Sequence, residues 1–259
     1  MSQETFKDLQ SFKNFLSENP QYASEYENIS KFYLGKGYEP TISELVTCML
    51  TLCPDPKLVI DIGGNVGDYT AEIINRCPAV EVHTIEASPT NIDKLYNRFA
   101  KNNRVTIVPF GVSDRAETTV LYTDQLGNGL GSLSKRDLRQ YGINFDLTET
   151  INTIRFEDYW KNQLAGKQID FIKMDIEGHE YAALQGFGES LSHIGAIQYE
   201  FGGCNIDSRV FFRDIYYLLS NANFNIYRIA PNGLLQLNGY SEFYEDFNFQ
   251  NCIAVNKNR

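Results

Sequence analysis

Basic side chains are in short supply: 23 lysines and arginines stand against 33 aspartates and glutamates, a net charge of −10 over 259 residues. Nucleic acids and anionic membranes are held through clustered Lys and Arg, so neither is expected as a partner. Cysteine is sparse too. Cys48, Cys53, Cys77, Cys204 and Cys252 are an odd number without a Cys-x-x-Cys pair, which argues against a disulfide framework or a zinc knuckle and for free thiols. The three histidines show no spacing suited to zinc or iron. No apolar run reaches the length of a membrane span, and Met1 to Gln10 is polar, without a signal-peptide apolar region. A cytoplasmic protein is the simplest expectation. The length suits one α/β domain with an appendage, and two full domains would be cramped.

What is present begins with Val59-Ile60-Asp61-Ile62-Gly63-Gly64-Asn65-Val66-Gly67-Asp68-Tyr69-Thr70, an apolar run that breaks into glycines and turns helical. Leu58 to Ile62 reads as a strand buried on both faces. Gly63, Gly64 and Gly67 allow a sharp bend and a close approach to a ligand, and a helix starting near Asp68 aims free N–H groups into the same space. A Gly-x-Gly-x-x-Gly loop started at Gly63 would need glycine where Asn65 and Asp68 stand, which argues against a nicotinamide dinucleotide and hence against an oxidoreductase. A second strand, Glu81 to Glu86, ends in a carboxylate 19 residues after Gly67. In nucleotide-binding α/β folds that position accepts hydrogen bonds from ribose hydroxyls, and an acid there repels a 2′-phosphate.

The rest of the chain supports a doubly wound, mostly parallel, seven-stranded Rossmann-like sheet. Residues 4–52 read as helical, with Phe6, Leu9, Phe12, Phe15 and Leu16, then Ile42, Leu45, Val46, Met49 and Leu50, at helical spacing. Together with the aromatic, Gly-rich Phe32 to Pro40 they form either a packed helical layer or a lid over the site. After the break at Cys53 to Pro56, strands and helices alternate: Val59–Ile62, a helix at 68–76, Val82–Glu86, a helix from Asn91 to Asn102 behind Ser88-Pro89-Thr90, and Val105–Phe110. An insertion at about 118–160 follows, with a hairpin-like Thr118–Tyr122, a mobile flap at Gly127–Ser132 and a short strand near Thr150–Arg155. The sheet resumes at Ile169–Asp175, with a helix from about His179 to Gly186, a strand at 194–200, a helix at 210–222, a strand at 225–229 and a final antiparallel strand at 251–255.

Asp61, Glu86, Asp175 and Glu200 fall at or near the carboxyl ends of these strands, the edge where open α/β sheets bind ligands. Carboxylates on one rim suit a ligand rich in hydroxyls, a cation, or both. S-adenosylmethionine is both. The motifs Asp61 to Thr70, Glu86-Ala87-Ser88-Pro89, and Ile172-Lys173-Met174-Asp175-Ile176-Glu177-Gly178-His179-Glu180 with Ala183-Leu184-Gln185-Gly186 resemble, in order, those of the FkbM-type class I methyltransferases over roughly residues 57–200. That family commonly has Ala where this chain has Gly64.

The resemblance implies positions for a bound S-adenosylmethionine. Asp61, Gly63, Gly64, Asn65, Gly67, Tyr69 and Thr70 would surround its methionine end, Glu86 its ribose, Ala87, Ser88, Ser113 and Asp114 its adenine, and Asp175 its methyl. Lys173 would share a strand face with Asp175 and either pair with a rim carboxylate or reach solvent. Ser132 resembles a family serine near the acceptor. It implies a methyltransferase domain at 55–259 behind a helical extension or lid at 1–54.

Methyl transfer from a sulfonium demands alignment and desolvation, and an alcohol acceptor must also lose a proton. Asp175, His179 and Glu200 are candidate bases. His179 is equally a helix-start residue packing locally. Asp175 and Glu200 either hold Mg²⁺ or share a proton, or simply accept hydrogen bonds. Acting on oxygen, with a sugar or secondary-metabolite hydroxyl as acceptor, follows from the resemblance. Carboxyl or nitrogen methylation of a peptide-like product and a non-catalytic adenosine-binding module are the alternatives. A homodimer is compatible with the sequence.

Overall fold

The computed structural model describes residues 7–258. The expected helical start at residues 4–6, with Phe6 in its apolar series, lies outside the described residues. Helix α1 (Leu9–Glu18) starts on Asp8, whose side chain accepts the Ser11 N–H, and α2 (Ala23–Tyr33) follows; neither buries a residue. Helix α3 (Ile42–Leu52) starts on a reciprocal cap between Thr41 and Glu44 and buries Leu45, Val46 and Met49. The turn between α2 and α3 is tied to the other end of the chain. Arg228 Nη1 donates to Leu34 O at 3.1 Å, Gly37 N to Phe249 O at 2.7 Å, and Lys36 Nζ to Asp246 at 2.7 Å.

From β1 (Leu58–Ile62) the chain alternates as expected through α4 (Asp68–Arg76), β2 (Glu81–Ile85), α5 (Pro89–Phe99) and β3 (Val105–Val108). Some boundaries differ from expectation, the end of α5 at Phe99 among them. Helix α5 starts at Pro89, not Asn91, because Ser88 caps it and a residue without an N–H suits the first turn. Strand β3 stops at Val108, and Gly111–Ser113 leaves the main sheet as β4 to pair parallel with β6 (Leu147–Arg155). Strand β5 (Thr118–Thr123) pairs antiparallel with β6, so the expected local hairpin at 118–122 is a long-range pair instead.

Helix α6 (Phe156–Asn162) leads back to β7 (Ile169–Met174), α7 (Glu180–Gln185), β8 (Ile194–Phe201), α8 (Cys204–Ser208), α9 (Phe212–Asn221), β9 (Phe224–Ala230), β10 (Gly233–Gln236) and β11 (Gln250–Asn256). The main sheet runs β10-β9-β11-β8-β7-β1-β2-β3, with β11 antiparallel to both neighbours. Seven of these strands are those expected. The eighth, β10, turns back on β9 through Pro231-Asn232, with Gly233 paired to Ala230, and these turn residues are a signal present in the sequence.

Alternation along β1 sends Leu58, Ile60 and Ile62 to a core under α6, α7 and α9, and Val59 to a second core under α3, α4 and α5. Strand order reverses between β1 and β7, the switch point where such sheets open a crevice at their carboxyl ends. On the α4 face, just below that crevice, a row of polar side chains crosses five strands. Thr84, Asp61, Lys173, Gln198 and Asn251, from β2, β1, β7, β8 and β11, are all buried, and Asp61 stands in register with Thr84 and Lys173, Lys173 with Gln198.

Candidate active site

The turn after β1 is bound to the strands on both sides. Gly63 N and Gly64 N donate to Ile85 O at 2.9 and 3.1 Å. Gly63 has φ +76°, and a Cβ there would lie 1.9 Å from Asp175 O, so both conformation and space require glycine. Gly64 needs only the space: its Cβ would lie 2.2 Å from Thr84 Cγ2. Thr84 thus leaves no room for a larger residue at position 64.

Glu86 is 7% exposed and organises the floor of the crevice. Its Oε2 accepts Asn65 N at 2.8 Å and its Oε1 accepts Ser88 N at 2.7 Å. Asn91 Nδ2 donates to Asn65 Oδ1 at 3.0 Å. Burial pushes the Glu86 carboxyl up, against the pull of those N–H groups and Lys173. Each carboxylate oxygen keeps a second lone pair for a ligand hydroxyl.

Beneath the turn, Lys173 is buried, with Nζ 3.0 Å from Gly63 O and 3.5 Å from both Asp61 Oδ1 and Asp175 Oδ2. Burial alone would lower its pKa, but Asp175, Asp61 and Glu200 together hold it above its usual value. Asp61 is fully buried and accepts the Thr70 hydroxyl at 2.7 Å; burial raises its pKa although Lys173 opposes. Tyr69 O–H donates to Gln198 at 3.1 Å, Gln198 to Asn251 at 3.1 Å, and Asn251 to Glu200 at 3.4 Å. Burial, then Asp175 and Glu177, hold the Glu200 carboxyl well above the usual range.

The crevice takes in about 710 Å³ of space when its open mouth is included. Asp175, Ile176, Glu177 and His179 from the turn after β7 line one side, and Gly111 and Val112 line another with Leu121, Thr123, Glu149 and the 127–133 loop. That loop is anchored by Lys94 Nζ on Gly127 O (3.0 Å), by the Ser132–Tyr122 backbone pair, and by Ser132 Oγ on Glu177 O (2.7 Å). Glu177 takes a left-handed φ of 52° and pairs with Arg136 at 2.6 Å. Its carboxyl is pushed up to about 8, by burial first and Asp175 second.

Of the positions expected to touch ligand, Gly63, Asn65, Glu86, Ser88, Asp175 and His179 line the crevice. The remainder sit behind it. Asp61, Thr70 and Lys173 support the turn, Tyr69 and Glu200 hydrogen-bond to Gln198 and Asn251 of the polar row, and Ser132 is spent on Glu177 O. Ser113 holds His179. Gly64, Gly67, Ala87 and Asp114 are not among the lining residues, and none comes from 7–54. Lys173 pairs with carboxylates and does not reach solvent. The cation facing Asp175 is therefore Lys173, and among the described residues no group of three or more His, Cys, Asp or Glu is placed to hold a metal ion. Asn91, Glu149 and Glu177 were missed. Asn91 and Glu177 lie inside or beside quoted motifs, whereas Glu149 carries no local signal and is brought in by β6 and by Thr90, whose hydroxyl donates to it at 2.8 Å.

A carboxylate at the end of β2, another at the end of β7 and bent backbone between them fit a ligand with ribose hydroxyls and a cationic centre. A family model described as the Methyltransferase FkbM domain matches residues 61–226. The "2-O-methyltransferase NoeI" of Sinorhizobium fredii is 25% identical over 158 residues, covering 57% of this chain and 64% of that protein; the match thus spans less than two thirds of the relative. Among solved structures, a putative caffeoyl-CoA O-methyltransferase from Staphylococcus aureus aligns at 12% identity over 95% of this chain and 98% of that one, TM-score 0.46. The N-terminal domain of EvdMO1 with SAH bound aligns at 8% identity over 85% and 82%, TM-score 0.47. At these identities and scores both structural likenesses are remote.

Proposed function

Because the chain belongs to the FkbM methyltransferase family, whose cofactor is S-adenosylmethionine, we propose that it methylates a hydroxyl oxygen of a small acceptor, a sugar or another secondary metabolite. The observation that carries the reading is the pairing of Glu86 and Asp175 in one crevice across the Gly63 turn. A 2-O-methyltransferase among its relatives supports oxygen as the acceptor atom.

The bound cofactor would supply an electrophilic methyl on a sulfonium. Glu86 accepts the ribose hydroxyls, and Gly63 and Asn65 set the backbone along the amino-acid end. Asp175, 35% exposed at its side chain and backed by Lys173, accepts the acceptor's hydroxyl proton on a carboxylate oxygen as the new O–C bond forms. Lys173 keeps that corner from accumulating negative charge. The anchored 127–133 loop and Glu177 exclude water from the reacting end. Residues 55–259 act as the transferase unit, with residues 1–54 as an extension to it.

Calorimetric titration with S-adenosylmethionine, S-adenosylhomocysteine and NAD tests the cofactor; binding of NAD alone would sink the reading. Methyl-labelled cofactor offered with hydroxylated acceptors tests the atom. A base-stable methyl ether supports it, whereas a base-labile methyl ester or label on nitrogen overturns it. Asp175→Asn should lower the transfer rate by about 10²–10⁴-fold.

A further inference from the structure

Arg228, on β9, is a cation that the fold has closed off from water; it is 1% exposed. The turn after α2 presses against it. A Cβ on Gly35 would stand 3.0 Å from Arg228 Cδ, and Leu34 O accepts from Nη1 at 3.1 Å. The Tyr244 ring covers the guanidinium, its centroid 5.3 Å from Cζ, and Gln250 Oε1 accepts from Nε at 2.6 Å.

None of these partners carries negative charge. Cys252 stands in register with Arg228 on one side and with Tyr199 on the other, and burial keeps both of those groups neutral, the Cys252 thiol pushed up to about 11 and the Tyr199 phenol well above its usual value. Arg228 forms no ion pair among the described residues, and neither its Nη2 nor Gln250 Nε2, both buried, meets a hydrogen-bond acceptor there. Reversing the Gln250 amide would not help, because its NH₂ would then face the Arg228 Nε–H. A buried charge needs a counter-charge, and a buried donor needs an acceptor. The unspent groups of Arg228 and Gln250 are all donors, on two side chains already joined by a hydrogen bond. Water would accept from them, but it would bring two protons of its own and no charge. A small anion answers the donors and the guanidinium together.

We propose that Arg228 Nη2 and Gln250 Nε2 bind a small monovalent anion of the halide class, and that this ion fastens the turn after α2 to the β10-β9-β11 end of the sheet. The ion completes a set of ties already present there, Arg228 to Leu34 O, Gly37 N to Phe249 O and Lys36 to Asp246. None of the residues that would hold it lines the crevice of Glu86 and Asp175, so the site is independent of the cofactor.

The test is thermal unfolding of the full chain in sodium bromide and in sodium gluconate at equal ionic strength, gluconate being too large for a buried site. An ion that binds only the folded chain raises the melting temperature by about 3–5 °C per tenfold rise in bromide above its dissociation constant. Gln250→Glu sets a carboxylate on the guanidinium in place of the ion. It should abolish the bromide dependence while melting in gluconate at or above the parent's temperature. Arg228→Met, which removes the cation, should abolish the dependence as well. In the parent, amide exchange at residues 34–37 should slow by about tenfold in bromide. A crystal grown from bromide should show an anomalous peak within hydrogen-bond distance of Arg228 Nη2 and Gln250 Nε2, a measurement that depends on neither variant folding. A parent that melts alike in both salts, a bromide dependence undiminished in Gln250→Glu, or no bromide at this position overturns the site. Bromide bound there with unchanged exchange at 34–37 overturns its fastening role.

Discussion

Replacing Lys173 by methionine keeps most of the stem volume and removes the charge that Asp61 faces. Lys173 is 9% exposed at its side chain and Asp61 is 0%, so solvent cannot take over the role of the ammonium. Breaking a buried pair by removing one partner costs about 3–5 kcal/mol. At roughly 2–4 °C per kcal/mol for a chain of this size, the melting temperature should fall by about 6–20 °C. The sign of the pH dependence follows from Asp61. Its folded pKa is already raised by burial, and loss of Lys173 raises it further. Between the unfolded value near 3.9 and the folded one, the folded state binds more protons, and stability falls as pH rises. The deficit should therefore be largest at neutral pH and above, and shrink as pH approaches 4. Urea unfolding of parent and Lys173→Met at about pH 5 and pH 8 measures both quantities. A loss below about 1 kcal/mol at neutral pH, or a larger deficit at pH 5 than at pH 8, would refute the reasoning.

Three further outcomes follow. The parent should lose thermal stability as pH rises from about 5 to 8.5, because burial holds Glu177 and Glu180 at about 8 and about 7 when folded against 4.5 unfolded, with Glu200 also raised. His179, lowered, pulls the other way but is one group against the several raised carboxyls; a melting temperature that climbs over this range contradicts the burial argument. Gly64→Ala should cost about 1–3 kcal/mol through its clash with Thr84 Cγ2, and most of that should return in a Thr84→Ser background, which keeps the hydroxyl shared with Thr70; strictly additive effects in the double variant would be inconsistent with the clash. Glu86→Gln replaces an acceptor with an NH₂ facing Asn65 N or Ser88 N, and S-adenosylhomocysteine should bind at least about tenfold more weakly by calorimetry.

The parallel half of the sheet was legible because β-branched runs and glycine turns are local signals, and β1, α4 and β2 fall where the periodicity puts them. The insertion was not. The partner of β5 lies in β6, and no local pattern tells Thr118–Thr123 to prefer Leu147–Arg155 over a nearer segment. At the site, the residue types were readable but not their depth. Asp61 and Lys173 stand in the same motifs as the crevice residues Asn65 and Asp175, yet they lie under the turn, and only three-dimensional neighbours separate a ligand contact from its support. Likewise Ser113 and Asp114 stand in the expected segment, while the partner that Ser113 meets, His179, lies 66 positions away.

The polar row across β2, β1, β7, β8 and β11 bears on how the sheet assembles. Slipping β1 or β7 by a single position would move Asp61 or Lys173 to the opposite face and bring an isoleucine or methionine under α4 in its place. The mistake would strand Asp61 or Lys173 in an oily layer with no counter-charge, a misalignment far costlier than an ordinary slip between two greasy strands. Parallel strands joined by long crossovers have little else to fix their stagger. The row works as a five-point alignment key, and a chain that has paired its strands wrongly cannot close it.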